Sequence, residues 1–288
     1  MRLSLISKLI FTFISLILIP IEGYSLTPGQ VFEKVKDDSN NEWEKRSEEL
    51  EKANNWQEMI NWGKKWTKSE PKSADAWYYL GLSYYKLKQY EKAIDAYKNV
   101  LRINPEDDVA WNNLGNTYSD LKRHEEAIEA HKNVLRINPK DATAWNNLGF
   151  VYGDLKQYDK AIEACNNALR INPENATAWY NLGFVYDELK QYEKAIDAYK
   201  NALRFDLKDA DAWYNLGNAY GKLKQYDKAI EAYKNALRFD PENPKALMSL
   251  ADAYNELEQY DKATELLRKH YLKYNPQDAD IMKKFLGW

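Results

Sequence analysis

An all-α solenoid of tandem helix-turn-helix units is the fold class the sequence predicts, on three observations. Tryptophan recurs at 77, 111, 145, 179 and 213, each 34 residues after the last. The same step carries Leu80, Gly81 and Tyr84 onto Leu114, Gly115 and Tyr118, and so on through Leu216, Gly217 and Tyr220. About half a unit later come Ala93, Ala127, Ala161, Ala195, Ala229 and Ala263, each followed four residues on by Tyr97, His131, Cys165, Tyr199, Tyr233 or Leu267. A fixed period of this length marks a repeat array, which overrides any domain count read from 288 residues.

Within a unit, W-x2-L-G-x2-Y puts its four residues on one face of a first helix, and the Ala with the residue four later forms the inward face of a second. Small Gly81 and Ala93 permit close helix approach, and Trp77 and Tyr97 fill the surrounding space, so Trp145 in mid-array is expected in the core. Pro105, Pro139, Pro173 and Pro241 end the second helix, because proline lacks the amide and clashes inside a helix. Leu207 interrupts this series, yet Asp206 and Asp209 favour a helix start beside it, so a regular turn is expected there too.

These residues resemble the tetratricopeptide-repeat family, whose 34-residue unit carries W-x2-L-G-x2-Y, then Ala, an aromatic and Pro. The resemblance implies a right-handed α-solenoid of tandem TPR units at 74–107, 108–141, 142–175, 176–209, 210–243 and 244–277. The last carries Leu247 and Ala251 in place of Trp and Gly. Stepping back 34 residues from Trp77 reaches Trp43, so 41–73 reads as a degenerate N-terminal cap, with Ser47 for Gly and Met59 for Ala. Ile281, Met282, Phe285 and Leu286 suggest a C-terminal capping helix over 278–288.

Ahead of the array, Lys8 precedes an apolar run from Leu9 to Ile21 and then small Gly23 and Ser25. About 13 residues cover about 20 Å as a helix, short of the roughly 30 Å hydrocarbon core. A signal peptide over 1–25 is therefore expected, the alternative being an uncleaved anchor that tethers the chain to a membrane. Residues 26–40 read as a polar linker. Either reading places the repeats outside the cytoplasm, periplasmic or secreted.

Charge and motifs narrow the function. With 41 basic against 44 acidic side chains and a net charge of -3, the chain lacks the basic footprint of a nucleic-acid binder. One cysteine excludes an intramolecular disulfide framework and any multi-thiolate zinc site. The local signatures G-x-x-x-x-G-K-[ST], H-E-x-x-H, G-x-S-x-G and C-x-x-C are absent, so no catalysis, cofactor, metal or small-molecule substrate is expected. His131 and Cys165 occupy the aromatic slot of their units and read as core residues. Recurrent pairs such as Glu91-Lys92 and Asp159-Lys160 read as a solvated face.

The family resemblance implies that first helices line a concave groove holding a protein or peptide partner. Two residues after each Trp stand Asn113, Asn147, Asn181 and Asn215, a ladder able to hold a peptide backbone or simply a set of solvated amides. Four hydrogen bonds at about 0.5 to 1.5 kcal/mol only match the roughly 2 to 5 kcal/mol ordering cost of a flexible peptide, so side-chain anchors must supply the rest. Candidates are Tyr78, Tyr180 and Tyr214 with Leu82, Phe150 and Phe184. Asp120, Asp154, Asp187 and Glu188 make the groove acidic and favour a ligand carrying Lys or Arg beside apolar groups. The cationic clamp of the chaperone-tail binders is missing: its positions hold Tyr78, Val109, Asn112, Thr143, Asn146 and Asn147. A self-associating array and an accessory subunit of an exported enzyme complex are the alternative functions.

Overall fold

The computed structural model describes residues 42–278. The expected signal or anchor over 1–25, the linker over 26–40 and the capping helix from 279 onward lie outside these residues. Fourteen α-helices follow one another among the described residues. A first hairpin pairs α1 (42–52) with α2 (Trp56–Ser69). Six further hairpins follow: α3 (Ala74–Lys86) with α4 (Tyr90–Ile103), α5 (Asp108–Asp120) with α6 (His124–Ile137), and α7 (Ala142–Asp154) with α8 (Tyr158–Ile171). Then come α9 (Ala176–Glu188) with α10 (Tyr192–Phe205), α11 (Ala210–Lys222) with α12 (Tyr226–Phe239), and α13 (Pro244–Glu256) with α14 (Tyr260–Tyr274). A 3-10 turn, Pro276–Asp278, closes the described chain.

Local chemistry sets each boundary. Every first helix of the six hairpins starts behind a Ser, Asp or Asn whose side chain accepts from the backbone N–H three residues on, as Asp141 does from Ala144 at 2.8 Å and Asp209 from Ala212 at 2.9 Å. Such caps satisfy donors that the helix itself leaves open. The turn within each hairpin passes through a residue in the left-handed region, Lys88, Lys122, Lys156, Lys190, Lys224 or Glu258, at φ near 57° to 59°. Between hairpins, the indole N–H of Trp77, Trp111, Trp145 and Trp179 donates to the carbonyl of the proline six residues earlier, at 2.9 to 3.1 Å. Trp213 makes the same bond to Leu207 at 2.9 Å, so the turn without proline is as regular as the others.

That bond lies at the exposed edge of the indole, and it refines the expectation of core tryptophans. Trp77, Trp111, Trp145, Trp179 and Trp213 are all only partly buried. They pack against the core, which includes Leu80, Tyr97 and Leu114 and alanines on both helices, Ala76, Ala110, Ala144, Ala178 and Ala212 on the first and Ala93, Ala127, Ala161, Ala195 and Ala229 on the second, all ten alanines at 0% exposure. Each signature glycine seats the aromatic-slot residue of its partner helix. A Cβ on Gly81 would stand 2.8 Å from the Tyr97 ring, on Gly149 2.5 Å from Cys165 Sγ, and on Gly217 2.5 Å from the Tyr233 ring.

The lysines of the recurrent acid-lysine pairs do more than face solvent. Lys92, Lys160, Lys194, Lys228 and Lys262 lie over the rings of Tyr84, Tyr152, Tyr186, Tyr220 and Tyr254 at 5.3 to 5.8 Å. In the unit where Glu126 replaces the lysine, Arg123 covers Tyr118 at 4.7 Å. Each such contact contributes about 0.5–1 kcal/mol at an exposed site.

The N-terminal hairpin packs its tryptophans against one another. Trp43 lies 4.3 Å from Trp62 and stacks on Trp66 at 5.9 Å, and Trp66, 1% exposed, continues to Tyr79 at 6.2 Å. Among the described residues no helix is long and apolar enough to cross a membrane.

The slot tyrosines differ in how their hydroxyls are served. Tyr233 donates to Asn218 Oδ1 at 2.9 Å, whereas the buried Tyr97 hydroxyl has no partner because Leu82 occupies the equivalent place. A buried hydroxyl without a partner costs on the order of 1 kcal/mol or more. Tyr97→Phe is therefore expected to raise stability by about 1 kcal/mol, read as a higher urea midpoint with an unchanged slope; a lower midpoint would show that the hydroxyl is satisfied.

Candidate functional site

The first helices of neighbouring hairpins touch one another directly, α5 with α7, α7 with α9, α9 with α11 and α11 with α13. Residues on their outward sides therefore form one continuous concave face. Two clefts lie along it.

The first, of about 130 Å³, is lined by Phe150, Phe184, Tyr180, Asn181 and Asp154, with Gly149, Gly153 and Val185 at its floor. Phe150 and Phe184 are 45% and 40% exposed, so two large apolar rings face solvent across a gap opened by glycine. A Cβ on Gly153 would reach Val185 Cγ2 at 3.6 Å, ordinary contact, so this glycine leaves space rather than relieving a clash. Leu82, at the same position in the first unit, is only 9% exposed and offers no anchoring surface.

The asparagine ladder makes hydrogen bonds between repeats. Asn147 Nδ2 donates to Asn112 Oδ1 at 3.1 Å and to Asn116 Oδ1 at 3.0 Å. Asn181 donates to Asn146 at 2.9 Å, and Asn215 to the Tyr180 hydroxyl at 2.9 Å. Asn113 is hydrogen-bonded to Tyr78 in the same way. Each amide thus reaches back to the residue that follows the Trp of the preceding unit. The Asn146–Asn181 pair is buried, both at 8% exposure, and so ties repeats together. These donors hold neighbouring first helices in register.

The expected acidic residues separate similarly. Asp154 pairs with Lys122 at 2.9 Å, Glu188 accepts from the Tyr158 hydroxyl at 3.1 Å, and Asp120 is hydrogen-bonded to Tyr85. Asp187 differs, because its Oδ1 is shut off from water without any donor. Burial is the main cause that pushes its carboxyl above the ordinary aspartate value, Glu188 adds to the rise, and Lys222 opposes it. Asp187 opens onto the second cleft, of about 460 Å³, together with Tyr214, Asp252 and Glu256.

Residues 44–280 match the family model described as the cilia and flagella-associated protein 70 C-terminal domain, a model of TPR type. The chain belongs to this tetratricopeptide-repeat family. Its units are close to those of solved TPR structures. A crystal structure of MamA is 30% identical with a TM-score of 0.51, covering 57% of this chain and 95% of that one. PilF of Pseudomonas aeruginosa is 21% identical with a TM-score of 0.61, covering 74% and 96%. YrrB, described as a TPR protein with an unusual peptide-binding site, is 21% identical with a TM-score of 0.51, covering 65% and 96%. At 21% identity these last two carry the fold alone. No curated protein sequence matches the chain.

In this TPR chain the two residues with latent chemistry are enclosed. Cys165 is 0% exposed, and burial pushes its thiol up to about 12, which leaves it un-ionised at neutral pH. His131 is 0% exposed, and burial lowers its imidazole to about 4, with Asp141 opposing weakly. Among the described residues no three His, Cys, Asp or Glu side chains come together as a metal site.

Sequence reasoning missed Asn112, Asn116 and Asn146 as acceptors, and Asp252 and Glu256 as cleft residues. Two 34-residue steps from Phe184 and Glu188 lead through Asn218 and Lys222 to Asp252 and Glu256, so the signal was present in a unit that lacks the signature Trp and Gly.

Proposed function

We propose that the chain is a non-catalytic scaffold that holds an extended segment of a partner protein against its concave face, outside the cytoplasm. The observation that carries this reading is the pair Phe150 and Phe184, both exposed and both lining one cleft together with Tyr180. Exposed aromatics at a concave surface gain contact area on binding at small cost in side-chain order, since each ring has two rotatable bonds. The family supports protein interaction as the general role. The apolar run Leu9–Ile21 behind Lys8 supports the location.

The test is selection of randomised peptides on the full chain, followed by binding to the Phe150→Ala/Phe184→Ala variant. Both side chains are exposed, so the variant should melt near the parent. Selected peptides are expected to carry an apolar side chain and to lose at least tenfold in affinity. Equal affinity for both proteins would remove the groove assignment.

A further inference from the structure

Away from the concave face, the second helices of the last three units carry a basic surface. Two clefts of about 450 Å³ each lie between them, one unit apart. The first is walled by α10 and α12 over Leu216 and Tyr220 of α11. The second is walled by α12 and α14 over Leu250 and Tyr254 of α13, the residues 34 further on. Lys200, Arg204 and Lys228 line the first beside one carboxylate, Glu231. Lys234, Arg238, Lys262 and Lys269 line the second beside Glu265. All seven cations are exposed, and among the described residues none of them forms an ion pair.

The lysines converge instead of spreading. Lys200 and Lys228 both approach the Tyr220 ring, at 5.8 and 5.5 Å, and Lys234 and Lys262 both approach Tyr254, at 5.6 and 5.8 Å. A ring face attracts a cation, but two like charges at one ring repel each other. Tyr118 shows how the chain balances such a pair. Lys98 and Arg123 approach it at 6.0 and 4.7 Å, and Arg123 holds Glu126 at 2.6 Å and Glu91 at 3.6 Å. Arg136 likewise pairs with Glu106 at 3.0 Å, whereas three units on, ahead of Arg238, Lys208 stands in the place of Glu106. The counter-charge supplied around Tyr118 is missing around Tyr220 and Tyr254.

A further residue sets the apolar part of the surface. Leu207, which replaces the proline of the other turns, lines the first cleft and is 61% exposed. Carboxylates next to an apolar side chain therefore complement the surface. Nucleic acid suits it less, because Tyr220 and Tyr254 are only 7% exposed and offer no ring face for a base to stack on. A flat layer of lipid headgroups would meet only the rims of the two recesses. Tyr220 and Tyr254 stand on α11 and α13, first helices in contact and so about 8–10 Å apart. An extended chain covers that distance in about three residues at roughly 3.3 Å each.

We propose that the two clefts seat an acidic segment of a second partner protein, with carboxylates beside Tyr220 and Tyr254 and an apolar side chain against Leu207. This surface is separate from the concave groove, and the array then bridges two partners.

Randomised peptides are selected on the full chain and sorted by two full-length variants, Lys200→Glu/Lys234→Glu and Leu207→Pro. The lysines are exposed, and the backbone at Asp206 (φ -129°, ψ 85°) matches that of Asp240 before Pro241 (φ -128°, ψ 84°), so thermal melts of both variants should stay near the parent. One group of peptides is expected to carry Asp or Glu about three residues apart with an apolar neighbour. Its affinity should fall about tenfold or more with the charge reversal and about threefold or more with Leu207→Pro, and stay at the parent value with Phe150→Ala/Phe184→Ala. Absence of acidic peptides, or acidic peptides indifferent to the charge reversal, would overturn the site. Acidic peptides that depend on Phe150 and Phe184 belong to the concave groove and would overturn it as well. Unchanged affinity for Leu207→Pro would overturn the apolar contact. Phosphatidylglycerol vesicles or a single-stranded oligonucleotide that bind more tightly than the peptides, and are released by the same charge reversal, would overturn the protein segment as occupant in favour of a lipid surface or nucleic acid.

Discussion

Gly183→Val is expected to cost about 3 kcal/mol and to split the unfolding of the array, because there is no room for a side chain at this point. A Cβ there would stand 2.7 Å from both Cδ1 and Cε1 of Tyr199, a ring that is 1% exposed. The ring cannot swing aside freely, since Tyr180 packs against it with centroids 5.8 Å apart. Overpacking of this kind costs about 1–3 kcal/mol, and valine adds two methyl groups beyond the clash of the Cβ itself. Stability in a repeat array is a sum of unit and neighbour terms, so damage in the unit of α9 and α10 uncouples the repeats on either side. Urea unfolding followed by circular dichroism should show two transitions where the parent shows one. Gly221→Ala is the counterpart. Its Cβ would meet only the Tyr233 hydroxyl at 3.7 Å, so the helix gains roughly 0.5–1 kcal/mol from losing a glycine. A Gly183→Val protein that melts like the parent would refute the packing described for every unit.

The contrast between these two glycines shows what a repeat sequence reveals. Glycine recurs at the position of Gly183 in five of the six units, and that period alone identifies a close helix contact. Gly221 and Gly153 stand outside the signature, and only the structure shows that each borders a cleft on the concave face. Helix ends were legible for the same reason as Gly183: capping residues and prolines act within a few residues of themselves, and Leu207 could be read through because Asp209 caps the next helix. Partners across units were not legible. The ladder bonds join residues 35 apart, such as Asn181 to Asn146, so they depend on the offset between consecutive first helices. A single unit does not contain that offset. Burial of Leu82 and exposure of Phe150 at one repeat position were hidden likewise, because each depends on which neighbouring unit covers it. Trp145 was legible only in part: it packs against the core as its size suggested, but its indole N–H needs an acceptor, and the Pro139 carbonyl at the unit boundary supplies it.

His131 shows the same dependence on neighbours in energetic form. It fills a slot that holds tyrosine in three other units, and neither ring nitrogen has a partner in the buried site. Burial holds its folded-state value at about 4, against about 6.5 for an unfolded chain. Between these values the unfolded chain binds a proton that the folded chain refuses. Stability is therefore complete above about pH 6.5 and declines as pH falls toward 4. The loss is about 3 kcal/mol in all, since a tenfold difference in proton affinity between the two states is equivalent to about 1.4 kcal/mol. His131→Tyr removes this dependence and adds a hydroxyl close to Asn116, the counterpart of the Asn218 that serves Tyr233. The variant is expected to exceed the parent by about 1 kcal/mol at pH 7.5, where the gain comes from replacing two unpaired nitrogens. At pH 4.5 the gap should widen by about 2–3 kcal/mol. Carboxylates elsewhere titrate in the same range, but they do so in both proteins and cancel in the difference. Urea midpoints of the two proteins measured from pH 7.5 to 4.5 decide the matter. Parallel curves would mean that His131 takes up its proton without opening the fold, which requires a water or a carboxylate to reach it beneath Gly115.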